Sequence, residues 1–372
     1  MSGLYIHIPF CKSRCIYCGF YSTTNEMFRQ QYVDALCREL ALRRGYVEGP
    51  WHTVYIGGGT PSQLSASDLC QLFSAIDCSK AVEVTMECNP DDITPDYAAV
   101  IASLPINRVS MGAQTFNDER LHFLHRRHTS SEVESAINIL RRAGINNISI
   151  DLMYGFPDET LDDWKEDIRR AVCLGVEHLS AYSLMFEEGT PLYRLLEKGK
   201  VDEADEELSR EMFYLLSDRM KSAGYEHYEI SNFARPGYRS RHNSSYWQHV
   251  PYLGIGASAH SFDGNSRQWN VADLCQYIES VKEGKPQYER ETLDADTLYD
   301  EVVMLSLRTA EGINLDKLAG RFGVERLNYC MDNAQKYIVN GLLEQTIDNH
   351  LRLTRQGFFV SDMVMSDLMN DR

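Results

Sequence analysis

The stretch Leu4-Tyr-Ile-His-Ile-Pro-Phe-Cys11-Lys-Ser-Arg-Cys15-Ile-Tyr-Cys18-Gly-Phe20 decides how this chain is read. A strand-like LYIHI runs into a loop carrying three cysteines at CxxxCxxC spacing. Thiolates are the usual ligands of iron-sulfur clusters, and three of them can hold a 4Fe-4S cluster while one iron keeps no protein ligand. A cluster with four cysteines passes electrons, whereas one with three has a position for a small molecule. Zinc would normally need a fourth ligand, often from a second CxxC or an HxxxH pair, and the chain carries no such pair.

Ten cysteines spread over 372 residues, with no secretory leader before the first strand, imply a reducing cytoplasm rather than a disulfide framework. Cys37, Cys70, Cys78, Cys88, Cys173, Cys275 and Cys330 fall mostly in apolar helix or strand patterns and are expected to pack as small buried hydrophobes. With 43% apolar residues the chain can bury a large core, and its length suggests two domains. No apolar run approaches the roughly 20 residues of a membrane span. A formal charge of −17 argues against nucleic acid as a partner, because phosphate binding depends on a basic surface.

Short β-branched runs alternate with amphipathic helical patterns up to about Tyr182, the signature of βα units and a parallel sheet. Six strands are expected, at Leu4–Ile8, Thr53–Ile56, Ala81–Glu87, Arg108–Met111, Ile148–Met153 and His178–Tyr182. The intervening helices fall near Phe28–Arg44, Ser67–Ile76, Asp96–Leu104, Ser131–Ala143 and Leu161–Leu174. Six such units build either an open doubly wound sheet or an incomplete barrel, and in both the loops after the strands' carboxyl ends form the site. The chemistry-bearing residues sit there. The cysteines follow the first strand and Gly57-Gly58-Gly59-Thr60-Pro61 the second; Glu87-Cys-Asn-Pro90 ends the third, Gln114 follows the fourth, and Asp151 lies in the fifth. Beyond Pro191 the pattern changes to a charged helix at Glu203–Ala223, a loop-rich segment to about Phe262, a clear helix at Asp294–Arg308, and a strand pair near Leu342–Glu344 and His350–Leu353.

A triple glycine after a strand lets backbone amides approach a charged ligand, although a tight turn explains it as simply. Glu87 at a strand end could meet a ligand's ammonium or hydroxyls, or form an ordinary salt bridge. His242, in His242-Asn-Ser-Ser-Tyr-Trp247, is a plausible axial iron ligand beside stacking aromatics, or a histidine hydrogen-bonded within its loop. Arg235, Arg239 and Arg241 lie near it and could meet propionates or simply be solvated. His260 is a second candidate, and His7 fits a cofactor pocket better.

Together LYIHIPFCKSRCIYCGF, YIGGGTP, MECNP, VSMGAQTFN and IDLMYGFP resemble the radical S-adenosylmethionine enzymes of the HemN type, and the match covers nearly the whole chain. The resemblance implies a partial (β/α)6 TIM-like barrel over residues 1–265 with its loop-rich extension, then a small, mostly helical, winged-helix-like domain over 266–372. It implies that Cys11, Cys15 and Cys18 hold a 4Fe-4S cluster whose open iron binds S-adenosylmethionine and breaks its sulfonium bond to a deoxyadenosyl radical. Gly58, Gly59 and Thr60 then contact the methionine amino and carboxylate groups. Gln114, Arg126 and Asp151 correspond to positions at the ribose, the carboxylate and the adenosyl portion, with Arg127 the alternative to Arg126. Glu87, Tyr5 and Tyr17 complete that pocket, with core packing the alternative for both tyrosines.

Two departures separate this chain from the coproporphyrinogen dehydrogenases of the same family. Those enzymes carry a cysteine two residues past the last ligand, where Phe20 stands, and a long extension before the first strand. The HNSSYW segment and the stretch Asp300–Arg308 with Glu311-Gly-Ile313 resemble instead the HemW-like branch, whose members act as haem chaperones. That likeness implies haem and haem-accepting proteins as partners, with an electron donor for the cluster; oxygen-independent coproporphyrinogen III dehydrogenase is the alternative.

Overall fold

A computed structural model describes residues 2–370. Six parallel strands, β1 (Gly3–Ile8), β2 (Thr53–Gly58), β3 (Glu83–Cys88), β4 (Arg108–Gln114), β5 (Ile148–Tyr154) and β6 (His178–Ser183), pair in chain order. Each overlaps its expected range, and the five expected helices between them are present within one or two residues of their expected ends. Their starts are written in the sequence: Ser65, Thr129 and Thr160 each close a capping box over the first turn of the helix that follows. One face of each helix goes to the sheet, as in Leu161–Leu174, where Trp164, Asp167, Ile168 and Ala171 are buried.

The six strands do not close on themselves. Residues 226–292, expected to be loop-rich as far as Phe262, instead supply β7 (Glu226–Glu229), β8 (Asn232–Ala234), β9 (Tyr252–Ile255), β10 (His260–Phe262), β11 (Ser266–Asn270) and β12 (Tyr288–Thr292). These extend the sheet at both edges to twelve strands, with β9 parallel to β1 on one side and β8 antiparallel to β6 on the other. The added strands are three to five residues long, too short for a period to show. Residue 265, the expected domain boundary, falls in the turn between β10 and β11 of this sheet. A second core gathers Tyr299, Val303, Leu307, Leu318, Tyr337, Leu351, Leu353 and Val364 around the helix Ala295–Leu307, together with Phe213 from the helix Glu206–Ser222. The expected strand pair is there as β14 (Leu343–Gln345) and β15 (His350–Leu353), joined by a short β13 (Ile313–Asn314).

A buried ion pair fastens β9–β11 to the barrel. Glu39, fully buried on the helix Arg29–Leu42, pairs with Arg43 at 3.0 Å and accepts from the Tyr277 hydroxyl (2.7 Å), the Asn270 amide (2.8 Å) and the Gly256 N–H (2.9 Å). Arg43 in turn donates to Gln268 at 2.7 Å. Of the cysteines outside the triplet, Cys88 and Cys330 are buried as expected, but Cys70, Cys173 and Cys275 are exposed, because each lies on the outward face of a helix whose other face meets the core.

Removing one partner of a buried pair leaves the other charge without compensation. Glu39→Ala is therefore expected to destabilise the protein by about 3–5 kcal/mol, read from the urea midpoint; a loss under about 1 kcal/mol would show that the pair is not a fastening.

Candidate functional site

The β1–β2 register sets Ile8 opposite Gly58, and the Gly59 N–H donates to the Ile8 carbonyl at 2.8 Å. The cysteine loop and the glycine loop therefore leave the sheet side by side. They open onto a cavity of about 630 Å³ at the carboxyl ends of the parallel strands. Cys11, Cys15, Cys18, Tyr17, Gly58, Gly59, Thr60, Glu87, Gln114, Arg126 and Asp151 all line it. Thus eleven of the thirteen expected site residues converge on one space, and Tyr5 and His242 do not.

Glycine is required where these loops cross. A Cβ on Gly59 would stand 2.8 Å from the Pro9 carbonyl and 2.9 Å from the Cys11 sulfur, and Gly58 has φ +116° over the His7 ring. The Thr60 hydroxyl points at the Cys11 sulfur at 3.4 Å. Burial pushes the thiols of Cys11 and Cys18 up. Among the described residues no three His, Cys, Asp or Glu side chains could hold a single metal ion. All three cysteines line this one cavity, close enough to act on one another electrostatically.

Gln114 is aimed by a bulge: it adopts φ +66°, and the β4–β5 register shifts between Gly112 and Gln114. A non-glycine residue there is strained, and such strain collects at functional sites. The structure also separates the two adjacent arginines. Arg127 is held by Asp91 (2.6 Å) and Asp92 (3.2 Å), while Arg126 donates to the Asn89 side chain (2.8 Å) and the Gly112 carbonyl (2.7 Å) and lies 3.6 Å from the Cys15 sulfur. Asn89, which orients Arg126, was not singled out from the sequence, although it stands in the quoted MECNP segment. Glu87 accepts from the Tyr55 hydroxyl (2.7 Å) and the Gly58 N–H (3.1 Å), and burial raises its carboxyl from 4.5 to about 7. Asp151 is raised too, chiefly by burial.

Tyr5 lies under the cavity: its hydroxyl is 3.0 Å from His7 Nδ1 and its ring stacks on Tyr55. His242 lies at the opposite, amino-terminal end of the strands. It is fully buried, with Nδ1 2.8 Å from the Thr53 hydroxyl and Nε2 2.7 Å from the Tyr246 hydroxyl. Read from the sequence either as an axial iron ligand or as a histidine hydrogen-bonded within its loop, His242 belongs to the short helix Arg241–Trp247 with both ring nitrogens hydrogen-bonded, and burial lowers its pKa to about 3. Trp247 lies beneath the Arg308 guanidinium, 4.9 Å away. His260 is exposed just past the carboxyl end of β9, stacked on Trp269. Arg239 is bound to Glu226 and Glu311 on the surface.

Residues 5–171 match the radical SAM superfamily model, and residues 293–360 match the HemN C-terminal domain. The relative named heme chaperone HemW from Bacillus subtilis is 33% identical over the whole of both chains. That of Mycobacterium tuberculosis is 34% identical, covering 99% of this chain and 94% of its own, and that of Lactococcus lactis 31%, covering 100% and 98%. The chain belongs to the HemW family of radical SAM proteins. The fold of coproporphyrinogen III oxidase (HemN) from Escherichia coli, a radical SAM enzyme, superposes on 99% of this HemW-family chain and 90% of its own, with TM-score 0.84 and 22% identity. The barrel with its C-terminal helical region is thus the fold of the wider group. Phe20, where the dehydrogenase pattern has cysteine, is 71% exposed and lines the cavity, as do the exposed Met185 and Tyr182.

Because a Cβ on Gly59 would press on both the Pro9 backbone and the Cys11 sulfur, a cluster reconstituted anaerobically on the three cysteines is expected to hold at most about half as much iron in Gly59→Ala as in the unsubstituted chain. Iron analysis with circular dichroism checks this; full iron retention in a folded variant would refute the close-approach argument.

Proposed function

We propose that this protein is a cytoplasmic haem chaperone that holds a 4Fe-4S cluster on Cys11, Cys15 and Cys18, binds S-adenosylmethionine in the cavity, and carries haem to acceptor proteins. The observation that carries this reading is the likeness to HemW relatives along the full length of the chain. When bound and reduced by a donor protein, the cluster supplies an electron to the cofactor. The chain's own residues bind and orient it. Glu87, at the mouth of β3, takes the cofactor's ammonium; Arg126, freed from the Asp91–Asp92 pair that occupies Arg127, takes its carboxylate; Gln114 and Asp151 meet the ribose and adenosyl parts. Tyr17 walls the cavity, and Tyr5 acts from beneath it.

For haem, the exposed apolar rim of Phe20, Tyr182 and Met185 suits a flat macrocycle. Of the two candidate iron ligands, His260 presents an accessible ring, whereas His242 would have to break two buried hydrogen bonds first. Stoichiometric haem binding by the purified protein, weakened at least about tenfold in His260→Ala, a loss of the size expected for one ligand contact, is the expected result. No haem binding would refute the chaperone reading. So would anaerobic conversion of coproporphyrinogen III to protoporphyrinogen IX.

The Glu87 carboxyl also sets a pH dependence. Asp151 pushes it up, whereas Tyr55, the Gly58 amide and Arg108 favour its ionised form, and burial outweighs them. Its folded pKa exceeds its ordinary one, so the ligand-free fold loses stability as pH rises from 4.5 through about 7. A bound ammonium favours the ionised form instead. Affinity for S-adenosylmethionine is expected to rise between about pH 6 and 8, and equilibrium dialysis should show this rise flattened in Glu87→Gln. A rise of equal size in the variant would remove Glu87 from the ammonium site.

A further inference from the structure

The HNSSYW segment has no part in the cavity, yet it is tied to it through one side chain. Tyr55 stacks with two rings: Tyr5, its partner on the neighbouring strand, with centroids 6.2 Å apart and planes at 26°, and His242, at 5.1 Å and 27°. The hydroxyl of this ring reaches Glu87 Oε1 at 2.7 Å, and the second carboxylate oxygen receives the Gly58 N–H. Gly57 leaves the space for this contact, since a Cβ there would stand 2.7 Å from the Tyr55 ring and 3.1 Å from the Glu87 carboxyl.

His242 is fixed more firmly than packing alone demands. Thr53 and Tyr246 hold its two nitrogens, and Glu83, the first residue of β3, accepts the backbone N–H groups of Arg241 and His242 at 2.8 and 2.9 Å. Glu83 and Glu87 lie four residues apart on the same strand, so the helix carrying His242 is anchored to the strand that carries the cavity carboxylate. The buried Arg108 guanidinium, whose Nε and Nη1 have no hydrogen-bond partner, acts electrostatically on both Glu87 and His242 and favours a neutral imidazole. A neutral ring can stack on Tyr55 without placing a second cation beneath the carboxylate.

We propose that His242 is a positioning residue for the cofactor site: by stacking on Tyr55 it fixes the Tyr55 hydroxyl on Glu87, and so sets the orientation of the carboxylate that receives the cofactor's ammonium. This rests on the S-adenosylmethionine reading of the cavity. It gives the HNSSYW segment a role beneath the barrel, in place of a haem ligand.

The test is a double-mutant cycle on the anaerobically reconstituted full-length protein, with the S-adenosylmethionine dissociation constant measured by equilibrium dialysis across the pH range and haem stoichiometry measured in parallel. His242→Gln is expected to weaken S-adenosylmethionine binding by about five- to twentyfold and to move the pH midpoint of binding. Added to Tyr55→Phe it should weaken binding little further, because residues acting through one contact are not additive. Haem stoichiometry should be unchanged. If His242→Gln does not fold, Tyr246→Phe, which removes only the hydroxyl on Nε2, reads the same effect at smaller size. S-adenosylmethionine affinity and pH midpoint both unchanged, or fully additive effects, or loss of haem with the cofactor affinity intact, would each overturn the proposal. Failure of the unsubstituted protein to bind S-adenosylmethionine would overturn both the proposal and the cofactor reading beneath it.

Discussion

The pairing of β1 with β2 is the constraint on which the site depends. With Ile8 opposite Gly58 and the Gly59 amide bonded to the Ile8 carbonyl, the chain leaves both strands at one height, and Cys11 is delivered against Gly59 and Thr60. A slip of one residue would turn every side chain of β1 to the other face of the sheet. It would carry Tyr5 and His7 away from beneath the glycines and the cysteine loop away from the cavity. The Glu39–Arg43 network matters for a related reason, because it holds β9, which borders β1 on its other side.

The cavity combines desolvated carboxylates with fixed cations. Glu87 and Asp151 are both raised by burial, and Arg108 and Arg126 oppose that rise from within the barrel. The proposed zwitterionic cofactor would suit both: its ammonium would relieve Glu87, and its carboxylate would complete Arg126, whose nearest partners are the neutral oxygens of Asn89 and Gly112. The cysteines occupy the side of the cavity that Arg126 also reaches, so cluster and cofactor would share one cation between them.

Much of this was legible in the residues themselves. The cysteine spacing, the glycine run, Glu87 and Gln114 sit at or just past strand ends and Asp151 within β5, and parallel βα units bring such positions together whatever the loops do. Other features lay beyond one-dimensional patterns. Strands of three to five residues in 226–292 carry too few periods to register, and their pairing is decided by the free edges of β1 and β6. Arg126 and Arg127 are equivalent neighbours until Asp91 and Asp92 take one of them. His242 next to Tyr246 and Trp247 has the composition of a ligand loop, but Glu83 holds the backbone of the segment in a helix under the barrel, where Thr53 and Tyr246 satisfy the ring within the core. Burial of that kind follows from contacts some 160 residues apart, which no local motif encodes.

In the function proposed above, the cysteine triplet leaves one iron open to S-adenosylmethionine in this cavity. The most direct measurement is the electron paramagnetic resonance spectrum of the anaerobically reconstituted, reduced protein before and after S-adenosylmethionine is added. The account predicts a cluster signal whose shape changes on addition, because the open iron gains a ligand. A cluster signal that S-adenosylmethionine leaves unchanged, or no cluster signal at all, would contradict it.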